Sequence, residues 1–442
     1  MLLEFKTKNY KSFKDELTFS MVAAPKQKGL DYSVQKKTIA GKTYKALSSA
    51  VIYGPNAAGK TNLIGAMDTM KSIVLRGHIR NSEMMVSPNP ASNILELIPC
   101  CNQPAVPTMF SVKFIENGLV IYYTFTIMLG TFMDREYHRR ILEESLSVNE
   151  KTVFFRKDGL QVNNVAVLNK YLNTAIRKNI AGAGEIAESS LAEDELFLTN
   201  GFKNIFAKEL VYLITEWFDK KFMVIYRSDA VKTLRKYADP KNNTVYIEKT
   251  LTEAAREFGI NSNALGYRVS ENENDTVLCS IFEDQGKKVI LPSEMFESYG
   301  TVRFINEFPL VINALLNGGT LVMDEFDASI HPMALMNIIN IFHNDEINRN
   351  HAQLIFNTHN PIFLNSNLFR RDEIKFVERD ETTHESTHYS LADFKTYGER
   401  AVRKGEDYMK NYFVSQYGAI KDIDFSSIFE TIINGTEDIK NG

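Results

Sequence analysis

The 442-residue sequence predicts an α/β fold with a mixed sheet around a phosphate-binding loop, an antiparallel β lobe and a short helical lid insertion. Three observations lead there. Gly54-Pro55-Asn56-Ala57-Ala58-Gly59-Lys60-Thr61 fits G-x-x-x-x-G-K-[ST] and follows the apolar run Ala50-Val51-Ile52-Tyr53. Thr320-Leu321-Val322-Met323-Asp324-Glu325 reads as a buried strand ending in two carboxylates. Gln353-Leu354-Ile355-Phe356-Asn357-Thr358-His359 is a further apolar strand that delivers a histidine at its end.

Each element follows in chain order. Leu2 to Ala24 alternates well enough for two strands around the turn Asn9–Lys14. After the loop, Asn62-Leu63-Ile64-Gly65-Ala66-Met67 reads as a helix start. From about Phe110 to Phe155 the chain is rich in Val, Ile, Tyr, Phe and Thr. The turns Glu116-Asn117-Gly118 and Lys157-Asp158-Gly159 punctuate it, which predicts antiparallel strands. From about Val167 to Phe258 the period becomes helical, through Leu168, Tyr171, Leu172 and Ile176 and then Phe206, Leu210, Ile214 and Trp217. Strands return at Thr276–Phe282, and a strand pair near Glu373–Leu391 leads to a helical tail. The expected division is 1–160, the loop and β lobe; 161–265, a helical lid; 266–400, the second half of the head; and 401–442, the tail.

Composition narrows the class. Hydrophobic residues make up 44% of the chain and aromatic residues 11%, enough for a sizeable core across two or three units. A net charge of −4 gives no overall footprint for nucleic acid. The local basic clusters (Arg135, His138, Arg139, Arg140; Lys220, Lys221, Arg227; Lys232, Arg235, Lys236) are of the kind that usually form solvated faces. Cys100, Cys101 and Cys279 lack metal-ligand spacing and fit a reducing compartment. No apolar run approaches the ~20 residues of a membrane span, and no signal-peptide pattern opens the chain. A cytoplasmic protein without a membrane partner is expected.

The loop has a physical job at each position. Glycines and small residues let the backbone curl so that successive N–H groups face phosphate oxygens, and the following helix N-terminus adds partial positive charge. Lys60 then reaches the β- and γ-phosphates, and the Thr61 hydroxyl ligates Mg²⁺. Asp324, at the end of its strand, can hold the same ion through water, while Glu325 can polarise or deprotonate an attacking water. An isolated strand-end histidine is ordinarily a satisfied imidazole. Its place after Asp324-Glu325 makes His359 a candidate to reach a γ-phosphate oxygen.

Together these motifs resemble the ABC-type ATPase heads of the SMC, RecF and related families. Phe296-Glu297-Ser298-Tyr299-Gly300-Thr301-Val302-Arg303 stands where those families carry their signature sequence. The resemblance implies that Ser298 and Gly300 begin a helix capping the γ-phosphate held by a second copy. Phe326–Pro332 is similar to the loop after the catalytic Glu, with Asp327 at the dimer seam, and Asn9-Tyr10-Lys11-Ser12-Phe13 resembles the N-terminal N-[FY]-[RK]-S-F element. Tyr299 and Thr301 depart from the transporter signature, and no convincing glutamine loop is readable, although Gln103 lies in the right region. Only about 90 to 100 residues separate the halves, so no long coiled coil is expected.

Over nearly the whole chain the pattern is similar to the bacterial RecF/SMC-like ATPases of anti-phage and abortive-infection systems, including Rlo-, Septu- and PARIS-type subunits. That resemblance implies ATP and Mg²⁺ as ligands and an ATP-sandwich homodimer, extendable to an oligomer of dimers. It also implies a separately encoded effector, a nuclease or toxin. A DNA-repair or DNA-end-binding ATPase of the same head type is the alternative, with DNA as the partner.

Two motifs are declined. His384-Glu385-Ser386-Thr387-His388 fits H-E-x-x-H, but zinc needs both histidines on one helical face, and Thr382, Thr383 and Thr387 favour a hairpin. Asp422-Ile423-Asp424 suggests a nuclease D-x-D, yet about 80 residues after His359 are too few for a further compact domain beside the tail.

Overall fold

The computed structural model describes residues 1–25, 27, 29–80, 96–101, 104–132, 137–163, 165–172, 176, 179–226, 244–260, 262–269, 276–328, 330–394, 402 and 405–440. Arg135, Arg227, Lys232, Arg235, Lys236 and Gln103 therefore lie outside the described residues.

A six-stranded sheet runs Phe222–Ile225, Thr320–Met323, Gln353–Asn357, Ser49–Tyr53, Ile374–Arg379 and Ser386–Ser390 in spatial order. The first five strands are parallel and the last is antiparallel. Parallel strands are covered on both faces, so they read as continuous apolar runs. Ala50, Ile52, Val322 and Ile355 enter one hydrophobic cluster, whereas Val51, Tyr53, Leu321, Met323, Leu354 and Phe356 enter a second on the opposite face. The period of two along each strand decides which core a residue joins.

The first core also holds the helix Lys60–Arg76 and one face of a seven-stranded antiparallel sheet. That sheet contains Leu2–Lys8, Leu17–Ser20, Thr108–Glu116, Leu119–Met128, Arg140–Val148, Lys151–Arg156 and Leu160–Val162. The second core holds the helices Tyr299–Asn317 and Pro332–His343 and the tail around Tyr408, Tyr412 and Tyr417. A four-stranded antiparallel sheet, Val245–Ile247, Ala264–Val269, Thr276–Asp284 and Lys287–Pro292, precedes the Tyr299 helix.

The interval 161–265, expected as a helical lid, is helical only in part. Ile180–Ser189 and Lys208–Glu216 are helices, but Phe222–Ile225 forms the edge of the central sheet beside Thr320–Met323. Val245–Ile247 and Ala264–Val269 belong to the four-stranded sheet. The helical residues are also anchored in the core: Trp217 stacks on Phe114 at 3.8 Å and on Phe222 at 5.0 Å. Phe222-Met223-Val224-Ile225 is a short apolar run, and periodicity cannot tell such a run from a buried helical turn.

The parallel strands place their carboxyl ends along one edge, where open α/β sheets bind ligands. Pairing of Val51 and Met323 with Phe356 sets Gly54, Asp324 and His359 beside one another at that edge.

Candidate nucleotide site

The loop enters the site through two glycines that nothing larger replaces. A Cβ on Gly54 would lie 2.2 Å from the Val377 carbonyl oxygen. Gly59 has φ +113°, and a Cβ there would meet Ser386 Oγ at 2.6 Å and Ser12 Oγ at 2.9 Å. Those two serines brace the turn. Ser386 Oγ donates to the Ala58 carbonyl at 2.6 Å, and Asn62 Nδ2 donates to Ser12 Oγ at 2.8 Å. The serine of the Asn9–Phe13 element thus supports the loop from behind.

Lys60 is buried and its Nζ donates to the carbonyls of Gly54 and Pro55, at 2.7 and 3.0 Å. Burial lowers its pKa to about 8, against the opposing charges of Asp324, Glu325 and Asp327. Thr61 Oγ1 donates to Asp324 Oδ1 at 3.1 Å. The hydroxyl and carboxylate form a sparse hard-oxygen pair, which suits Mg²⁺ when phosphates and water supply its other ligands.

Asn357 joins the second and third motifs. Its Nδ2 donates to Asp324 Oδ1 at 2.5 Å, and its Oδ1 accepts the Glu325 backbone N–H. Glu325 has φ 51°, a left-handed conformation uncommon for a residue with a Cβ, and its side chain is exposed. Thr358 Oγ1 donates to Asp327 Oδ2 at 2.6 Å. Burial pushes the Asp327 pKa up while that hydrogen bond holds it down.

A groove of about 270 Å³ collects the chemistry: Lys60, Thr61, Glu325, His359 and Arg379 all line it. Partial burial and the nearby Lys60 ammonium lower the His359 pKa, keeping the imidazole neutral at pH 7. Arg379 donates to the loop carbonyl of Ala57 at 3.3 Å and to His384 O at 2.8 Å. A larger cavity of about 570 Å³ continues past Pro55–Ala58, between the strand end and turn at Glu378–Glu381 and Ile420–Asp422 of the tail.

Asn56 through Thr61, Glu325 and His359 therefore line one groove, with Gly54 and Pro55 held by Lys60 and Asp324 held by Thr61, while Ser298 and Gly300 do not line it. Ser298 instead caps the helix Tyr299–Asn317, its Oγ accepting from Thr301 N at 3.2 Å. Sequence reasoning missed the bridging role of Asn357, and it missed Arg379 and Arg303. A polar residue closing a fully buried strand was the available signal for Asn357. Nothing local marks the two arginines.

The two histidines of the first declined motif do not share a helical face. His384 lies in a turn with φ 58°, and His388 is a strand residue packed against Phe19, with ring centres 5.6 Å apart. Among the described residues no group of three or more His, Cys, Asp or Glu side chains could hold a metal ion. Of the basic clusters, Lys220 and Lys221 are paired with Glu216 and Glu116. No described helix is long and apolar enough to cross a membrane.

Two solved structures are similar at low identity. The SMC head bound to the C-winged helix domain of ScpA is 12% identical over 89% of this chain and 98% of its own, with a TM-score of 0.36. The SMC head domain from Thermotoga maritima is 13% identical over 88% and 98%, with a TM-score of 0.33. No curated protein matches the sequence. Residues 49–365 match the family described as "AAA domain, putative AbiEii toxin, Type IV TA system". The chain belongs to this AAA-domain family.

Proposed function

From that membership we propose that the chain hydrolyses ATP as a switch. Two copies close around two ATP molecules, and hydrolysis loosens them to control a separately encoded effector, a nuclease or toxin, in anti-phage or abortive-infection defence. One observation carries the reading: the loop, Glu325 and the histidine line one groove, with Asp324 hydrogen-bonded to Thr61 beside it, while the Ser298 helix terminus stands outside it. A site whose γ-phosphate cap lies elsewhere on the chain is completed by a second copy.

Lys60, the loop N–H groups and the helix N-terminus bind the triphosphate. Removing the charge of Lys60 from water makes an anion beside it more valuable. Glu325 takes the proton of the attacking water, and neutral His359 orients that water by hydrogen bonding. Mg²⁺, held by Thr61 and Asp324, would neutralise charge developing on the β- and γ-oxygens. Loss of the γ-phosphate removes the anion shared between copies, an order-to-release change of the kind nucleotide switches use.

Exposed apolar side chains around Ser298 support a second copy as its partner. Met295, Phe296 and Tyr299 are 78%, 49% and 61% exposed, surface that an approaching protomer would cover. The toxin and type IV TA wording of the family description supports the effector half of the reading.

Glu325→Gln tests it. The variant should bind ATP, turn over at least 100-fold more slowly and accumulate as an ATP-dependent dimer on sizing by light scattering. Turnover equal to the parent removes Glu325 as the base, and a monomer at saturating ATP removes the sandwich.

A further inference from the structure

The helix that begins at Ser298 is tied directly to the loop carrying Glu325 in its own chain. Arg303 lies five residues beyond the cap, about 7.5 Å along the axis at 1.5 Å per residue. Its side chain is almost fully buried. Nε donates to Glu307 Oε1 at 2.9 Å, and a terminal guanidinium nitrogen donates to the Glu325 carbonyl at 2.6 Å. The carbonyl of Glu325 is thus held by the Ser298 helix, and its N–H is held by Asn357 from the strand that delivers His359. Between these clamps Glu325 keeps its left-handed backbone, a conformation that persists only when the surroundings over-determine it. The planar guanidinium fork suits this task because it fixes direction as well as distance.

We infer that Arg303 is a positioning residue through which a nucleotide contacting Ser298 and Gly300 sets the geometry of Glu325 in the same chain. This rests on the ATP-sandwich reading above. In such a dimer the Ser298 helix of one protomer touches the ATP bound by its partner, whereas its Glu325 works on the ATP bound by its own loop. Arg303 then links the two sites crosswise: ATP in one site aligns the base of the other. Neighbouring groups reinforce the rigidity of the link. The Asp327 carboxyl, its pKa raised by burial, is near enough to feel the guanidinium charge, and Thr358 holds Asp327 from the His359 side. Burial raises the Glu307 pKa to about 7, against the lowering by the Arg303 charge and hydrogen bond.

Two measurements test the link. The ATP dependence of turnover in the parent should be sigmoidal, with a Hill coefficient above 1. Arg303→Lys, which keeps the charge and loses the fork, should bring it to 1 and lower the maximal rate several-fold, while ATP-induced dimerisation persists. A second experiment does not depend on the folding of an Arg303 variant. Mixed dimers of parent and Lys60→Ala protomers contain one chemically intact site whose Glu325 faces an unfilled partner site. They should turn over well below half the parent rate. Half the parent rate, or unchanged cooperativity in Arg303→Lys, overturns the inference and leaves the sandwich standing. Failure of the parent to dimerise with ATP overturns the sandwich itself.

Discussion

The groove around Lys60 and the helix end at Ser298 are built on opposite plans. Around the groove polar groups are satisfied inside the chain: Thr61 on Asp324, the Asp324 carboxylate and the Glu325 backbone N–H on Asn357, and Asp327 on Thr358. At Ser298 the hydroxyl closes one turn of its own helix, and the surrounding Met295, Phe296 and Tyr299 face outward. A self-satisfied groove can be preorganised before substrate arrives. An outward helix end gains its partner only by association. Under the proposed ATP sandwich, the groove is the part of the site that binds and the helix end the part that senses.

The largest effect should come from the groove. Lys60→Ala removes a buried charge from the phosphates, and losing one member of a buried charge pair costs about 2–5 kcal/mol. ATP affinity measured by calorimetry should fall 30-fold or more. Next comes Ser298→Arg, which places bulk and charge at the outward helix end. It should leave ATP affinity of the isolated protomer within about twofold and the melting temperature nearly unchanged, since loss of a cap costs only ~1 kcal/mol. ATP-induced dimerisation and turnover should vanish. If protomer affinity fell as in Lys60→Ala, the two regions would not be separate in function.

Asn357→Ala probes the internal satisfaction of the groove. It orphans the Glu325 N–H and one Asp324 contact, each worth about 1–3 kcal/mol when buried. Turnover should drop about 10- to 100-fold with ATP affinity reduced less, and equal losses in both would assign Asn357 to binding. At neutral pH no effect is expected from the last comparison, a pH dependence of stability. His388 is half-buried with its Nε2 shut from solvent, and that desolvation lowers its pKa to about 3, with Lys375 adding to the shift. The unfolded chain takes up that proton as pH falls through about 6.5, whereas the folded chain resists until about 3. Stability should therefore decline from pH 6.5 towards 3, and His388→Gln should flatten that decline in thermal melts. An unchanged slope would place acid sensitivity elsewhere.

Local signals carried much of the fold. Richness in β-branched and aromatic residues with punctuating turns marked the antiparallel strands from about Phe110 to Phe155, and the hairpin Ile374–Ser390 followed from its threonines and turn. The chemistry-bearing residues were legible because phosphate binding demands small residues, a lysine and a hydroxyl in a set order. Phe222–Ile225 was not legible as a sheet strand, because four apolar residues have no period to read. Arg303 and Asn357 were equally hidden. Their partners lie 22 and 32 or 33 residues away, across a sheet edge that only the assembled strands create.

Chain order alone was enough to mark the phosphate loop, the two carboxylates and the histidine, since each motif is contiguous and its chemistry tolerates few residue types. Folding decided which of them meet. Parallel pairing brought Gly54, Asp324 and His359 to one sheet edge and left Ser298 and Gly300 outside that groove. It also placed one arginine between the Ser298 helix and the Glu325 carbonyl. Hydrogen bonds between distant segments depend on strand order and helix packing, and no local pattern of residues encodes those.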